Sequence, residues 1–138
     1  MNWRNNLLKM LEKRRIDNDI DFQNIIDVEE KIILPTLLDI GHELRTWYHI
    51  QSDVKDNELK LYYGESGCWF KLEVVITSNC EVQVSAYIFD VNDPNLEPGE
   101  QPTLIKCYST MMTLEQISSR RITDIFIKSF KTMAKYYI

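Results

Sequence analysis

Between residues 68 and 90 the side chains alternate by twos on either side of one break. Cys68, Phe70, Leu72, Val74 and Ile76 fall on one face, while Lys71, Glu73 and Thr77 fall on the other. Beyond Ser78-Asn79 the apolar row resumes as Val82, Val84, Ala86 and Ile88, opposed by Glu81, Gln83 and Ser85. A period of two with one apolar face belongs to half-buried strands, so 68–90 is predicted to be a β-hairpin over a core. Turn parity follows. A two-residue loop at Ser78-Asn79 would set Ile76 against Glu81 and face every apolar residue with a polar one, which burial of one face forbids. An odd loop is required. Three residues, Thr77-Ser78-Asn79 with Asn79 left-handed, pair Val74 with Val82, Leu72 with Val84 and Phe70 with Ala86, and set Trp69 across from Tyr87 on the outer face.

Upstream the spacing is helical. Trp3, Leu7, Met10 and Leu11 recur with a period near 3.6 among Arg4, Lys9, Glu12 and Lys13, predicting an amphipathic helix over 2–15 that ends at Arg14-Arg15. Asp17, Asn18, Asp19 and Asp21 then read as an acidic connector. Asp27 with Glu30 has the form of a capping box, and 28–44 is apolar nearly all round, which predicts a buried helix, kinked or split near Leu34 by Pro35 and fraying after Gly41. Residues 46–51 alternate as a first strand, Tyr48 and Ile50 on one face, Trp47 and His49 on the other. The turn 53–57 leads to a second strand, 58–63.

That strand can meet the hairpin in two registers. A tight turn at Gly64-Glu65 sets Glu58 against Lys71 and Lys60 against Trp69, whereas a longer loop from Gly64 to Gly67 opposes Lys60 to Lys71. The first avoids like charges and is expected. Either way Tyr62, Trp69 and Tyr87 neighbour one another on the outer face. Residues 90–102 hold three of the four prolines and form a long acidic loop. A fifth strand, 103–112, has both faces partly apolar, which predicts a central or doubly covered position. Thr113 to Gln116 forms a second capping box opening the last helix, whose stripe is Leu114, Ile117, Ile122, Ile125, Phe126, Phe130 and Met133, with Arg120, Arg121, Lys128, Lys131 and Lys135 on the wet side.

These elements define one α+β domain: helices over 1–44, an antiparallel meander of about five strands over 45–112, and an amphipathic helix over 113–138 packed on the sheet. A chain of 138 residues buries about two-thirds of its unfolded surface and folds without a metal or disulfide. No apolar run is long enough to cross a membrane and the N-terminal Met-Asn-Trp-Arg-Asn-Asn has no leader-like apolar core, so the cytoplasm is the expected location. The net charge is −5, unevenly placed: 1–15 carries +4, 113–138 carries +3 and the stretch between them −12. An acidic body repels phosphates, so a nucleic-acid partner is not expected.

Candidate chemistry is sparse. Cys68, Cys80 and Cys107 lack metal-ligand spacing, the Asp and Asn clusters lack the remaining ligands of a calcium loop, and no nucleophile elbow or phosphate loop occurs. No cofactor or metal is implied, and an enzyme is not the favoured reading. The clearest signal is aromatic: Tyr62, Trp69, Tyr87 and Phe89, with Trp47 and His49 nearby, would form an exposed patch on a sheet covered on one side only. The expected function is therefore a protein-binding module of inhibitor, immunity-like or chaperone-like type, taking a partner with a basic surface or a second copy of itself. The alternative is a small-molecule-binding or enzymatic domain with a pocket between sheet and helices drawing on His42, Trp47, Tyr48 and His49.

Overall fold

The computed structural model describes residues 3–62, 68–90, 94–95, 97, 100 and 102–137, with only the main chain of 10–22 and 133–137. Helix α1 (Trp3–Val28) runs through a π-helical turn (Glu29–Ile33) into α2 (Leu34–Tyr48); strands β1 (Gln51–Lys55), β2 (Glu58–Tyr62), β3 (Cys68–Ile76), β4 (Glu81–Asp90) and β5 (Thr103–Thr113) follow, then α3 (Ser119–Tyr137). The sheet is antiparallel in chain order, a meander, as the alternation predicts. Helices α2 and α3 lie side by side on one face, α2 over β1 and β2, α3 over β3 and β4.

The acidic connector expected over 17–21 is helical. Neither Gly nor Pro occurs between Trp3 and Leu34, and Asp or Asn in a helix interior costs only about 0.7 kcal/mol per residue, so nothing stops the first helix. Asp27 is accordingly not a cap. It sits inside the helix, accepting a hydrogen bond from Gln23 Nε2 at 3.1 Å and pairing with Lys31 at 3.7 Å. Pro35 acts as expected in kind. Its missing N–H is accommodated by the π turn, in which Leu34 N–H donates to Glu29 O, and by the Thr36 hydroxyl, which donates to the Ile32 carbonyl. Buried Thr36 also lies 2.7 Å from Ser119 Oγ, tying α2 to the start of α3.

Gly41 is not a stop. It lies buried where β1 crosses α2; a Cβ there would approach Ser52 Oγ to 3.1 Å, and Ser52 donates to the Gly41 carbonyl at 3.2 Å. The helix continues to Tyr48 and closes at His49, left-handed at φ 55, with the N–H groups of His49 and Ile50 both donating to Leu44 O. Residues 46–48 therefore belong to the helix, and the first strand begins at Gln51. Asp56 and Asn57, with φ of 52 and 61, make the two-residue turn into β2 that mirror-image hairpin turns require.

The central hairpin has the odd loop demanded by parity, one residue further along. Ser78, Asn79 and Cys80 form it, Cys80 rather than Asn79 being left-handed at φ 58, and Ile76 pairs with Val82, Val74 with Val84 and Phe70 with Ile88. Thr77 closes it twice, its N–H donating to Glu81 O at 2.8 Å while its hydroxyl accepts from Glu81 N–H. The Thr113–Gln116 capping box forms but closes an isolated turn, Thr113 N–H donating to Gln116 Oε1 and Gln116 N–H to Thr113 Oγ1. Ser118 is the true cap of α3, accepting from Arg121 N–H at 3.1 Å.

The core is one cluster: Leu59, Leu61, Phe70, Leu72, Val74, Val82, Val84, Ala86 and Ile88 from the sheet against Ile33 of the π turn, Leu37, Ile40 and Leu44 of α2 and Ile117, Ile122 and Phe126 of the C-terminal region. Phe70, with no exposed surface, meets Phe126 edge-on at 5.7 Å and Phe130 at 6.1 Å. Truncating it removes both ring contacts and leaves a void. Phe70→Ala should lose about 3–5 kcal/mol of unfolding free energy in urea titration, whereas Val75→Ala, on the opposite face, should change it by less than about 1 kcal/mol.

Candidate functional site

With α2 and α3 on one side, no helix lies over the other face of the sheet among the described residues. The register arranges its side chains in rows across the strands: Lys60, Lys71, Tyr87 and Cys107 in one, Glu58, Glu73, Ser85 and Ser109 in the next, then Val75, Gln83 and Met111. Lys60 therefore opposes Lys71 and Glu58 opposes Glu73, the register that like-charge avoidance had set aside. Opposite charges two residues along each strand resolve the conflict. Lys71 Nζ lies 3.4 Å from Glu73 and 3.7 Å from Glu58, and Lys60 lies 3.9 Å from Glu58. The same ammonium sits 4.5 Å from the centroid of the Tyr87 ring, which stacks in turn on Phe89 at 6.4 Å. Ser85 and Ser109 share a hydrogen bond at 2.8 Å, and Gln83 donates to Ser109 at 3.4 Å.

Partial burial lowers the affinity of Lys71 for its proton, but Glu58 and Glu73 together outweigh that and hold it above its ordinary value. Burial likewise pushes the Cys68 thiol up, and the nearby Lys60 and Lys71 only partly offset it. Cys68 is thus a poor nucleophile, its S–H directed at the Phe70 carbonyl at 3.2 Å.

The six aromatic and histidine positions expected to form a patch do not lie together. Tyr62 and Tyr87 stand half-buried on the open face. Trp69 is 4% exposed and belongs to the core cluster, and Phe89 is 8% exposed, so neither presents its ring to solvent as expected. A bulge accounts for Trp69: the β2–β3 register slips between Leu61 and Tyr62, which pairs Tyr62 with Cys68 and takes Trp69 out of the alternation. The β4–β5 slip skips Ile105 of β5, and Phe89 stays beside Tyr87, on which it stacks. Trp47, 71% exposed, and His49 lie at the C-terminal end of α2, on the helical side of the sheet. Val75 and Met111 were missed. Each is an apolar residue in phase with the polar row of its strand, and that phase is the signal that marks them.

The alternative pocket residues, His42, Trp47, Tyr48 and His49, are all exposed, while the sheet and helix side chains between which the pocket would lie are packed together. A shallow polar hollow of about 180 Å³ does occur, at the β1–β2 hairpin, lined by Asp53, Lys55, Asp56, Glu58 and Lys60. Among the described residues no three His, Cys, Asp or Glu side chains gather as metal ligands would, and no helix is long and apolar enough to cross a membrane. The turn at Gly64-Glu65, Tyr63 and most of the 90–102 loop lie outside the described residues.

No protein-family model, curated protein or solved structure matches this chain.

The elevated Lys71 gives the face a pH signature. Because its folded value lies above the unfolded 10.5, its stabilising contribution is complete below that pH and disappears as pH rises through the folded value. Lys71→Met should lower stability at neutral pH by up to about 1 kcal/mol. The gap between the urea midpoints of variant and wild type should close above about pH 10.5.

Proposed function

We propose that this chain is a protein-binding module that takes its partner on the open face of the sheet. The observation that carries this reading is the one-sided cover: two helices share one face, and the other presents Tyr62, Tyr87, Val75 and Met111 around the Lys71 charge cluster. Rigid, half-buried tyrosines supply contact area at small entropic cost, and their hydroxyls supply direction. Alternating cationic and anionic rows supply selectivity, since a partner in the wrong register meets like charges. The −12 carried by residues 16–112 favours a partner with a basic surface, drawn in by long-range attraction. A protein acting by occupation rather than chemistry, as an inhibitor, immunity protein or chaperone does, needs such a surface and no catalytic constellation.

A binding or enzymatic pocket between sheet and helices has less support, because the side chains that would line it belong to the filled core or to the exposed end of α2. The test is capture from extracts of the native host by the immobilised chain, with proteins identified by mass spectrometry. Wild type should retain a partner that the Val75→Glu, Tyr87→Ala variant loses by at least about tenfold in affinity, the size of a modest hot spot. Trp47→Ala, on the helical side, should retain it. Equal capture by all three folded proteins would exclude the open face.

A further inference from the structure

The first turns of α1 differ from the rest of the chain in both packing and charge. Every residue from Trp3 to Lys9 is exposed, with Trp3 at 56%, Leu7 at 42% and Leu8 at 58%. Among the described residues the principal packing of α1 is against the π turn that follows it. At about 100° per residue, Trp3, Leu7 and Leu8 span an arc of about 140° on one side of the helix, while Asn5, Asn6 and Lys9 occupy the other. Arg4 falls inside the apolar arc, between Leu7 and Leu8, and its guanidinium lies 5.4 Å from the centroid of the Trp3 ring. Residues 1–15 carry five basic side chains against one acidic, whereas 16–112 carries −12.

We infer that the first turns of α1 lie along an anionic lipid surface, with Trp3, Leu7 and Leu8 at the outer acyl carbons and Arg4 and Lys9 at the phosphates. The excess of cations selects a surface of negative charge. Arg4 decides between lipid and a groove on another protein. A dry groove closing over Trp3, Leu7 and Leu8 would enclose the guanidinium at the middle of the contact, a costly burial. In the headgroup layer the same side chain lays its stem on apolar surface and pairs its charge with phosphate. Nucleic acid would answer the cations but leave both leucines in water. Tryptophan, leucine and arginine within one arc therefore match a boundary that is apolar beneath and ionic above. The acidic body opposes this little, because Leu8 stands about 30 Å along the helix from Val28, which packs against the core, and charges are screened over about 8 Å at physiological salt. The chain then works at a membrane surface that none of its described helices crosses.

Flotation of the full chain with vesicles tests this, using phosphatidylcholine alone and phosphatidylcholine with about one-third phosphatidylglycerol. The wild type should bind the anionic vesicles at least about tenfold more tightly than the neutral ones, and salt at about 0.5 M should release it. Leu7→Gln with Leu8→Gln keeps the charge and removes apolar contact; Arg4→Gln with Lys9→Gln does the reverse. Each pair should weaken binding at least about tenfold. Trp47→Ala, which removes an exposed tryptophan elsewhere, should bind as wild type does. The four substituted positions of α1 are exposed and outside the core cluster, and unchanged urea midpoints confirm that the variants keep the fold. Absence of binding to the anionic vesicles, as for a helix that seats on another polypeptide instead, overturns the inference. Equal binding to both compositions, or binding that the double glutamine at Leu7 and Leu8 leaves unchanged, also overturns it. The assay contains no partner protein and its variants leave Val75 and Tyr87 intact, so this helix and the open face stand or fall separately.

Discussion

Burial of one face of β3 and β4 beneath the helices is the constraint on which the remainder of the molecule turns. Phe70, Leu72, Val74, Val82, Val84, Ala86 and Ile88 are all within 2% of complete burial, and each large one contributes about 1.5–3 kcal/mol relative to exposure. A slip of one residue would turn the whole set outward, at a cost exceeding the total stability of a typical domain. Between β2 and β3 this constraint fixes the parity but not the register, since a shift of two residues would keep Leu59 and Leu61 on the buried face; the register adopted pairs them with Leu72 and Phe70 and sets lysine against lysine and glutamate against glutamate. The sheet absorbs those like pairs by opposite charge along each strand, a term of a few tenths of a kcal/mol.

The same hierarchy explains the bulge between β2 and β3. Both register slips fall at one end of the sheet, flanking the Phe70–Ile88 pair, where large aromatic residues stand at positions that strict alternation would turn to water. Slipping the β2–β3 ladder there allows Trp69 to join the core cluster. One large aromatic residue is removed from solvent for the loss of local ladder pairing.

How far the chain could be read from residues alone follows from which terms were strong. The period-two rows of β3 and β4 and the stripe of α3 are long and unambiguous, so the meander, the odd central loop and the helix covering it are legible. The loop's placement is not, since Thr77–Asn79 and Ser78–Cys80 preserve the same inward parity; the extra Ile76–Val82 pair and the Thr77 closure select the second. Residues 46–51 alternate too briefly to separate strand from helix, and the left-handed His49 that ends α2 has no strong local marker. Gly41 looks like punctuation but serves a contact with Ser52 that only the tertiary packing reveals. For the open face, Tyr62 and Tyr87 are legible from alternation, whereas the burial of Trp69 is not, because a bulge is invisible to a periodicity that it interrupts.

The open face is chemically graded from one side of the sheet to the other. Across β2, β3 and β4 it mixes two lysines, three glutamates and two tyrosines, and Asp53 and Lys55 of β1 stand beside Lys60 and Glu58, whereas the β5 residues in the same rows are Cys107, Ser109 and Met111, without a charge. A partner docking there, as proposed above, would be selected by charge and position over β2 and β3, where a wrong register opposes like charges, and by shape alone over β5.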